Sequence, residues 1–247
     1  LMPLGYRLLS PWAAAVVAVS QGIADELTTG AGIARGDIHT IHNAAMVAGF
    51  AERAAEAVTH PWLEDRSAPV LVTAGRLVPQ KDHATLLRAL ALRVQTAPAR
   101  LLVLGTGPLR ERLENLAREL GIADAVAFLG FQENPLPYIR RADAFVLTSV
   151  SEGFGNVLVE AMGCGTPVIS TDCRHGPAEI LAHGRHGLLV PPENPSALAE
   201  ALALVPTLRT RWPPEALKAR AGDFADDVCA ARYEALFRTI VARETGA

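Results

Sequence analysis

Cysteine is scarce in this sequence. Its three residues, Cys164, Cys173 and Cys229, form no C-x-x-C pair, and an odd count argues against a disulfide framework. Small buried thiols in a reducing cytoplasm are the expectation. Charge of one sign is lacking too. The formal net charge is −3 with acids and bases interspersed, which leaves no basic footprint for nucleic acid. No stretch reaches the roughly eighteen apolar residues that a transmembrane helix needs. Residues 1–9 carry neither a basic n-region nor a small-residue cleavage site, so they do not read as a signal peptide. There is no D-x-D, so a Mg²⁺ or Mn²⁺ bridge to a diphosphate lacks its usual carboxylates and no metal is expected. His183 and His186 have no third ligand at a suitable spacing and read as part of a turn. A complete G-x-G-x-x-G is also absent, and with it the dinucleotide fingerprint.

What is present is sustained alternation of short apolar strands with helices. Strands are expected at 70–74, 100–104, 126–129, 144–148, 167–171 and 187–190. Helices fall between and after them at 83–94, 109–120, 135–141, 156–163, 177–182 and 195–204. Six such strands make an α/β, doubly wound parallel sheet. Ahead of them, 14–20 reads as a strand ending at the N-cap Ser20. A helix over 21–29 follows, stopped by Gly30 and Gly32, and then a strand over 37–42. A lone βαβ piece cannot bury both faces of its sheet, so this opening reads as the last part of a second, Rossmann-type domain. The division expected is 1–50 for that remnant, 51–69 for a linker with one short helix near 52–58, 70–222 for the main domain and 223–247 for a closing helix. Phe224, Val228, Ala231, Tyr233, Leu236, Phe237 and Ile240 give that tail an apolar face that must pack on something.

Ligands of parallel sheets bind outside the carboxyl ends of the strands, so the loops there carry the functional reading. The central stretch is 149–167, S-V-S-E-G-F-G-N-V-L-V-E-A-M-G-C-G-T-P, a glycine-bearing loop opening a helix. Its glycines let the backbone approach a ligand, and the helix N-terminus suits a phosphate. Glu152 belongs to the loop mouth, while Glu160 lies just over two turns deeper at about 3.6 residues per turn. After the first strand of the main domain come Gly75, Arg76 and Lys81. A forked guanidinium and a mobile ammonium there would neutralise a diphosphate, unless they are solvated or paired with a local acid such as Asp82. The loop at Gly105 and Gly107 is a sharp connection or a contact. The loop from Phe131 and Gln132 to Asn134 offers amides and a flat ring near a candidate base site.

Taken together, G-R-L-x-x-x-K-D, G-x-G-P, S-x-x-E-G-F-G-x-x-x-x-E-A-M-x-C-G-x-P-V and G-P-x-E-I-L resemble the retaining glycosyltransferases of family 4, which have the two-Rossmann-domain GT-B architecture. The resemblance implies a donor-binding half that takes a nucleotide-diphosphate sugar without a metal. The donor would be a UDP-hexose or UDP-N-acetylhexosamine, and the acceptor a glycan or lipid-linked oligosaccharide. On this resemblance Arg76, Lys81 and Glu152 carry the chemistry. Gly75, Phe131, Gln132, Gly153, Phe154, Gly155, Asn156 and Glu160 bind the donor, with Glu160 on the ribose hydroxyls and the amides of 153–156 on phosphate or sugar. It also implies a cytoplasmic enzyme, at the inner face of the membrane through its other half, and one that transfers nothing unaided without that half. A non-catalytic nucleotide-sugar-binding fragment and a GT-B nucleotide-sugar epimerase remain as alternatives.

Overall fold

The computed structural model describes Gly5 and residues 10–245. The leader reading of residues 1–9, Gly5 apart, and the last two residues of the tail lie outside them. The first unit is β1 (Val16–Ala18), α1 (Gln21–Ala31) and β2 (Ile38–Thr40), with the two strands parallel. Ser20 caps α1 as expected, its Oγ accepting from the Ile23 amide at 3.2 Å. The helix runs through Gly30 and stops only at Gly32, which adopts φ 68°. An interior glycine costs about 1 kcal/mol, less than the burial of Ala24, Leu27 and Ala31 returns.

The stretch expected to be a linker holds two helices where one was expected. These are α2 (Phe50–Ala55), which starts earlier than 52, and α3 (Pro61–Glu64). Pro61 opens α3 and does not break it, because proline at the first helical position forfeits only an amide that has no partner anyway. His60 caps the turn through Nδ1, which accepts from the Trp62 amide at 3.2 Å.

The main unit then proceeds as the alternation predicts: β3 (Val70–Ala74), α4 (His83–Val94), β4 (Arg100–Leu104), α5 (Arg110–Glu119), β5 (Val126–Gly130), α6 (Leu136–Arg141), β6 (Ala144–Leu147), α7 (Asn156–Gly163), β7 (Val168–Thr171), α8 (Pro177–Ile180), β8 (Leu188–Val190) and α9 (Pro195–Ala203). The six strands form one parallel sheet in the order β5-β4-β3-β6-β7-β8. Strands β3, β4, β6 and β7 are buried almost throughout, as expected of strands covered on both faces. Chain order reverses between β3 and β6. That reversal is the switch point where ligands of such sheets sit, and the loops after β3 and β6 both open onto it.

Three further helices close the chain: α10 (Val205–Arg211), α11 (Pro214–Gly222) and α12 (Asp226–Thr245). The apolar face expected of the tail is only partly covered. Phe224 and Leu236 are buried, whereas Ala231 and Phe237 are exposed. Contacts of α12 with the 42–48 segment concentrate at its first turns, where the Asp226 amide donates to the Met46 carbonyl and the Cys229 thiol to the His42 carbonyl.

Candidate active site at the switch point

The loops after β3, β6 and β7 are stitched together by hydrogen bonds between residues far apart in sequence. The Val150 amide donates to the Gln80 carbonyl at 2.9 Å, and the Gln80 side chain donates back to the Ser151 carbonyl at 2.8 Å. The Thr148 hydroxyl holds the Lys81 carbonyl, the Thr171 hydroxyl holds the Ser149 carbonyl, and the Glu152 amide reaches the Arg174 carbonyl. A rigid rim results. The loops after β3 and β4 can touch only because residue 105 is glycine: it has φ 134°, and a Cβ there would collide with the Gly75 carbonyl. Gly176 plays the same part behind the central loop, where a Cβ would overlap the Phe154 carbonyl.

On this rim Lys81 Nζ lies 2.5 Å from Glu152 Oε1, and the same oxygen accepts the Ser149 hydroxyl at 2.6 Å. The two charged side chains are 18% and 9% exposed. Asp82, the nearer acid in sequence, does not compete for Lys81. It caps α4 instead, its Oδ1 accepting from the Thr85 amide at 3.2 Å. Burial and the neighbouring Lys81 charge hold His83 down at about 4, so a buried, neutral imidazole stands behind the cation.

Beside this corner opens a cleft of about 290 Å³. Gly75, Arg76, Phe131, Gln132 and Glu160 all line it. Arg76 is exposed, and its guanidinium makes no ion pair or hydrogen bond among the described residues. Burial pushes the Glu160 carboxyl above its usual range, an effect that the Arg53 guanidinium of α2 opposes. Phe131 presents its ring to solvent at 74% exposure, and the Gln132 amide group is anchored on the Leu129 carbonyl at 2.9 Å. Gly105 and Thr106 join the cleft wall, so the sharp connection after β4 also lines the cleft. Asn134 turns away, donating to the Arg53 carbonyl and to Glu56.

The central loop behaves differently from its side chains. The amides of Gly153, Phe154, Gly155 and Asn156 donate no hydrogen bond among the described residues, and they stand at the start of α7. The Phe154 ring is not at the mouth. It is buried, stacked on His42 with centroids 5.3 Å apart and set edge-on to Phe224. Asn156 accepts from the Asn43 side chain at 3.0 Å. The Gly153 carbonyl accepts the Ser20 hydroxyl at 2.9 Å, so one serine both caps α1 and holds the loop. Glu179 bridges the same seam, one oxygen on the Gln21 amide at 2.8 Å and the other on His42 Nε2 at 2.6 Å.

Sequence reasoning missed Ser149, Ser20 and His42 as partners of the site. Only the S-x-x-E spacing could have indicated Ser149. No cluster of three or more His, Cys, Asp or Glu side chains able to hold a metal occurs among the described residues, and His183 and His186 form none. The cysteines are free and buried, with Cys164 pushed up to about 12 by burial. No helix among the described residues is long and apolar enough to cross a membrane.

With this geometry in place, known proteins can be set beside it. The signature described as "Glycosyl transferases group 1" matches residues 56–218. The N-acetylgalactosamine-N,N'-diacetylbacillosaminyl-diphospho-undecaprenol 4-alpha-N-acetylgalactosaminyltransferase of Campylobacter jejuni is 33% identical over 195 residues, covering 79% of this chain and 51% of that protein. The lipopolysaccharide outer core galactosyltransferase WaaB, solved in its apo form, superposes with a TM-score of 0.77 at 28% identity, covering 93% of this chain and 63% of that one. HepE of Anabaena, solved with UDP and glucose, shares the fold with a TM-score of 0.76 at 24% identity, over 97% of this chain and 66% of that one. The chain spans about half the length of the Campylobacter relative, and less of several others. A six-stranded parallel sheet, GT-B glycosyltransferase neighbours and a signature match over most of the sequence lead to one assignment: the chain belongs to the group 1 glycosyl transferases.

Proposed function

We propose that the cleft binds a nucleotide-diphosphate sugar and serves as the donor side of a retaining, metal-independent glycosyl transfer to a glycan or lipid-linked acceptor. The observation that carries this reading is that, at the carboxyl ends of the central strands, the Lys81–Glu152 pair stands beside a cleft lined by a second cation, Arg76, and a second carboxylate, Glu160. Glycosyl transfer breaks the bond between the anomeric carbon and the diphosphate oxygen. Negative charge then grows on the leaving group and positive charge on the sugar. Arg76, Lys81 and the free amides at the start of α7 would stabilise the first. Glu152 would take hydroxyls of the transferred sugar, Glu160 those of the ribose, and Phe131 with Gln132 would frame the base. Retention follows if the acceptor attacks from the face the diphosphate leaves.

In this reading residues 70–222 are the donor-binding unit, 51–69 the linker and 1–50 part of the acceptor-side unit, to which the 223–247 helix returns. The Campylobacter relative is named for a diphospho-undecaprenol substrate, which favours a lipid-linked acceptor here. Calorimetric titration of the chain with UDP and GDP tests the donor assignment. Saturable binding of one of them, weakened in Arg76→Ala, is expected. No binding of either at millimolar concentration would overturn it.

A further inference from the structure

We propose that the Lys81–Glu152 ion pair is an exchange switch through which the cleft distinguishes a whole nucleotide sugar from the bare nucleoside diphosphate that transfer leaves behind. The inference rests on the donor reading above and concerns the energetics of that same site. Three observations carry it. The pair is nearly buried, with the carboxylate the more deeply so. One oxygen of Glu152, Oε1, receives both of its partners, the Lys81 ammonium and the Ser149 hydroxyl. The nearby anion-seeking groups, Arg76 and the amides of 153–156, have no partner of their own among the described residues.

A diphosphate drawn to those groups competes with Glu152 for Lys81. If it wins, a buried carboxylate loses its cation and keeps only the Ser149 hydroxyl. Stripping one member from a buried pair is strongly unfavourable, because the remaining charge has neither water nor a counter-charge. A nucleotide sugar removes that cost, since sugar hydroxyls can donate to the vacated carboxylate as Lys81 moves to the phosphates. A bare nucleoside diphosphate has only its ribose hydroxyls, which in this reading go to Glu160, and offers no donor to Glu152. The site therefore holds the complete donor and releases the product, with the discrimination set by what happens to Glu152 and not by the phosphates, which both ligands share.

The test compares wild type, Glu152→Gln, Ser149→Ala and the double variant by calorimetry, with UDP, GDP, UDP-glucose and UDP-N-acetylglucosamine as probes. Glu152→Gln removes the carboxylate that competes for Lys81. It should tighten the nucleoside diphosphate about tenfold while weakening the nucleotide sugar. Ser149→Ala changes no charge and removes the last partner of the abandoned carboxylate. It should loosen the diphosphate several-fold, more than it loosens the nucleotide sugar. In the double variant the effect of losing Ser149 should vanish, because that hydroxyl acts only through Glu152. Unchanged or weaker diphosphate binding in Glu152→Gln overturns the switch, as does a Ser149→Ala effect that persists in the double variant. Wild type that binds no diphosphate at all is a different result and removes the donor assignment, and the switch with it.

Discussion

The Lys81–Glu152 corner and the cleft beside it each hold a cation and a carboxylate and treat them in opposite ways. At the deep corner Lys81 and Glu152 are shielded from water and already in contact. In the cleft Arg76 stands exposed with its guanidinium unpartnered, while Glu160 is mostly buried and its carboxyl sits above the usual range. The difference shows how burial decides which charges wait for a ligand. An ammonium and a carboxylate stripped of water must find each other in the empty protein, whereas a guanidinium left in solvent bears little cost until a ligand arrives. The deep pair is thus part of the stability of the fold as well as of the site, and the exposed arginine belongs to the site alone.

The sharpest way to break this comparison is to remove one cation from each place. Lys81→Met leaves Glu152 buried without its counter-charge and should destabilise the fold by about 3–5 kcal/mol in urea titrations, a loss largely recovered when Glu152→Gln is added. Arg76→Ala should leave stability within about 0.5 kcal/mol of wild type. It should weaken nucleoside diphosphate binding by about 1–3 kcal/mol by calorimetry, the range of a charge-assisted contact. Equal stability losses at the two places would erase the distinction.

A smaller effect tests how firmly the central loop is held from outside the main sheet. Ser20→Ala removes both the α1 cap and the bond to the Gly153 carbonyl, and should cost about 1 kcal/mol in thermal or urea unfolding. Nucleotide affinity should fall with it if the loop amides are positioned through that carbonyl.

The smallest effect is a pH slope. The folded-state pKa of Glu160 is raised by burial, so the native chain binds its proton more tightly than the unfolded chain does. Its contribution to stability is therefore full at acid pH, and is lost as pH climbs from the ordinary carboxylate range through the raised value. Glu160→Gln should lack that decline, so the stability curves of variant and wild type should diverge as pH rises through this window. Parallel curves would mean that Arg53 offsets the burial completely.

Much of this architecture was legible in one sequence, and for a physical reason. The bounds of β3, α4, β4 and α7 coincide with their expected limits because each apolar run is bracketed by a glycine, a proline or a capping side chain. Local signals failed where a residue's effect depends on what lies across from it. Gly30 was expected to stop α1 and does not, since buried neighbours outweigh its propensity. Pro61, in a stretch expected to hold a single short helix, begins a second one. Phe154 sits in a loop whose expected role rests on its amides, and nothing in the spacing signals that its ring closes an aromatic cluster with His42 and Phe224.

The sequence by itself determined the order of strands and helices, and with it the edge of the sheet onto which Arg76, Lys81, Glu152 and Glu160 would open, because periodicity and chain breaks are local properties and parallel connections leave few topologies. Only the tertiary structure decided which charge met which. Lys81 chose Glu152, 71 residues away, over the adjacent Asp82, because Asp82 is committed to capping α4 and the corner that holds Glu152 is shielded from most of the solvent. Ion pairing depends on distance and burial in space, and neither is written in spacing along the chain.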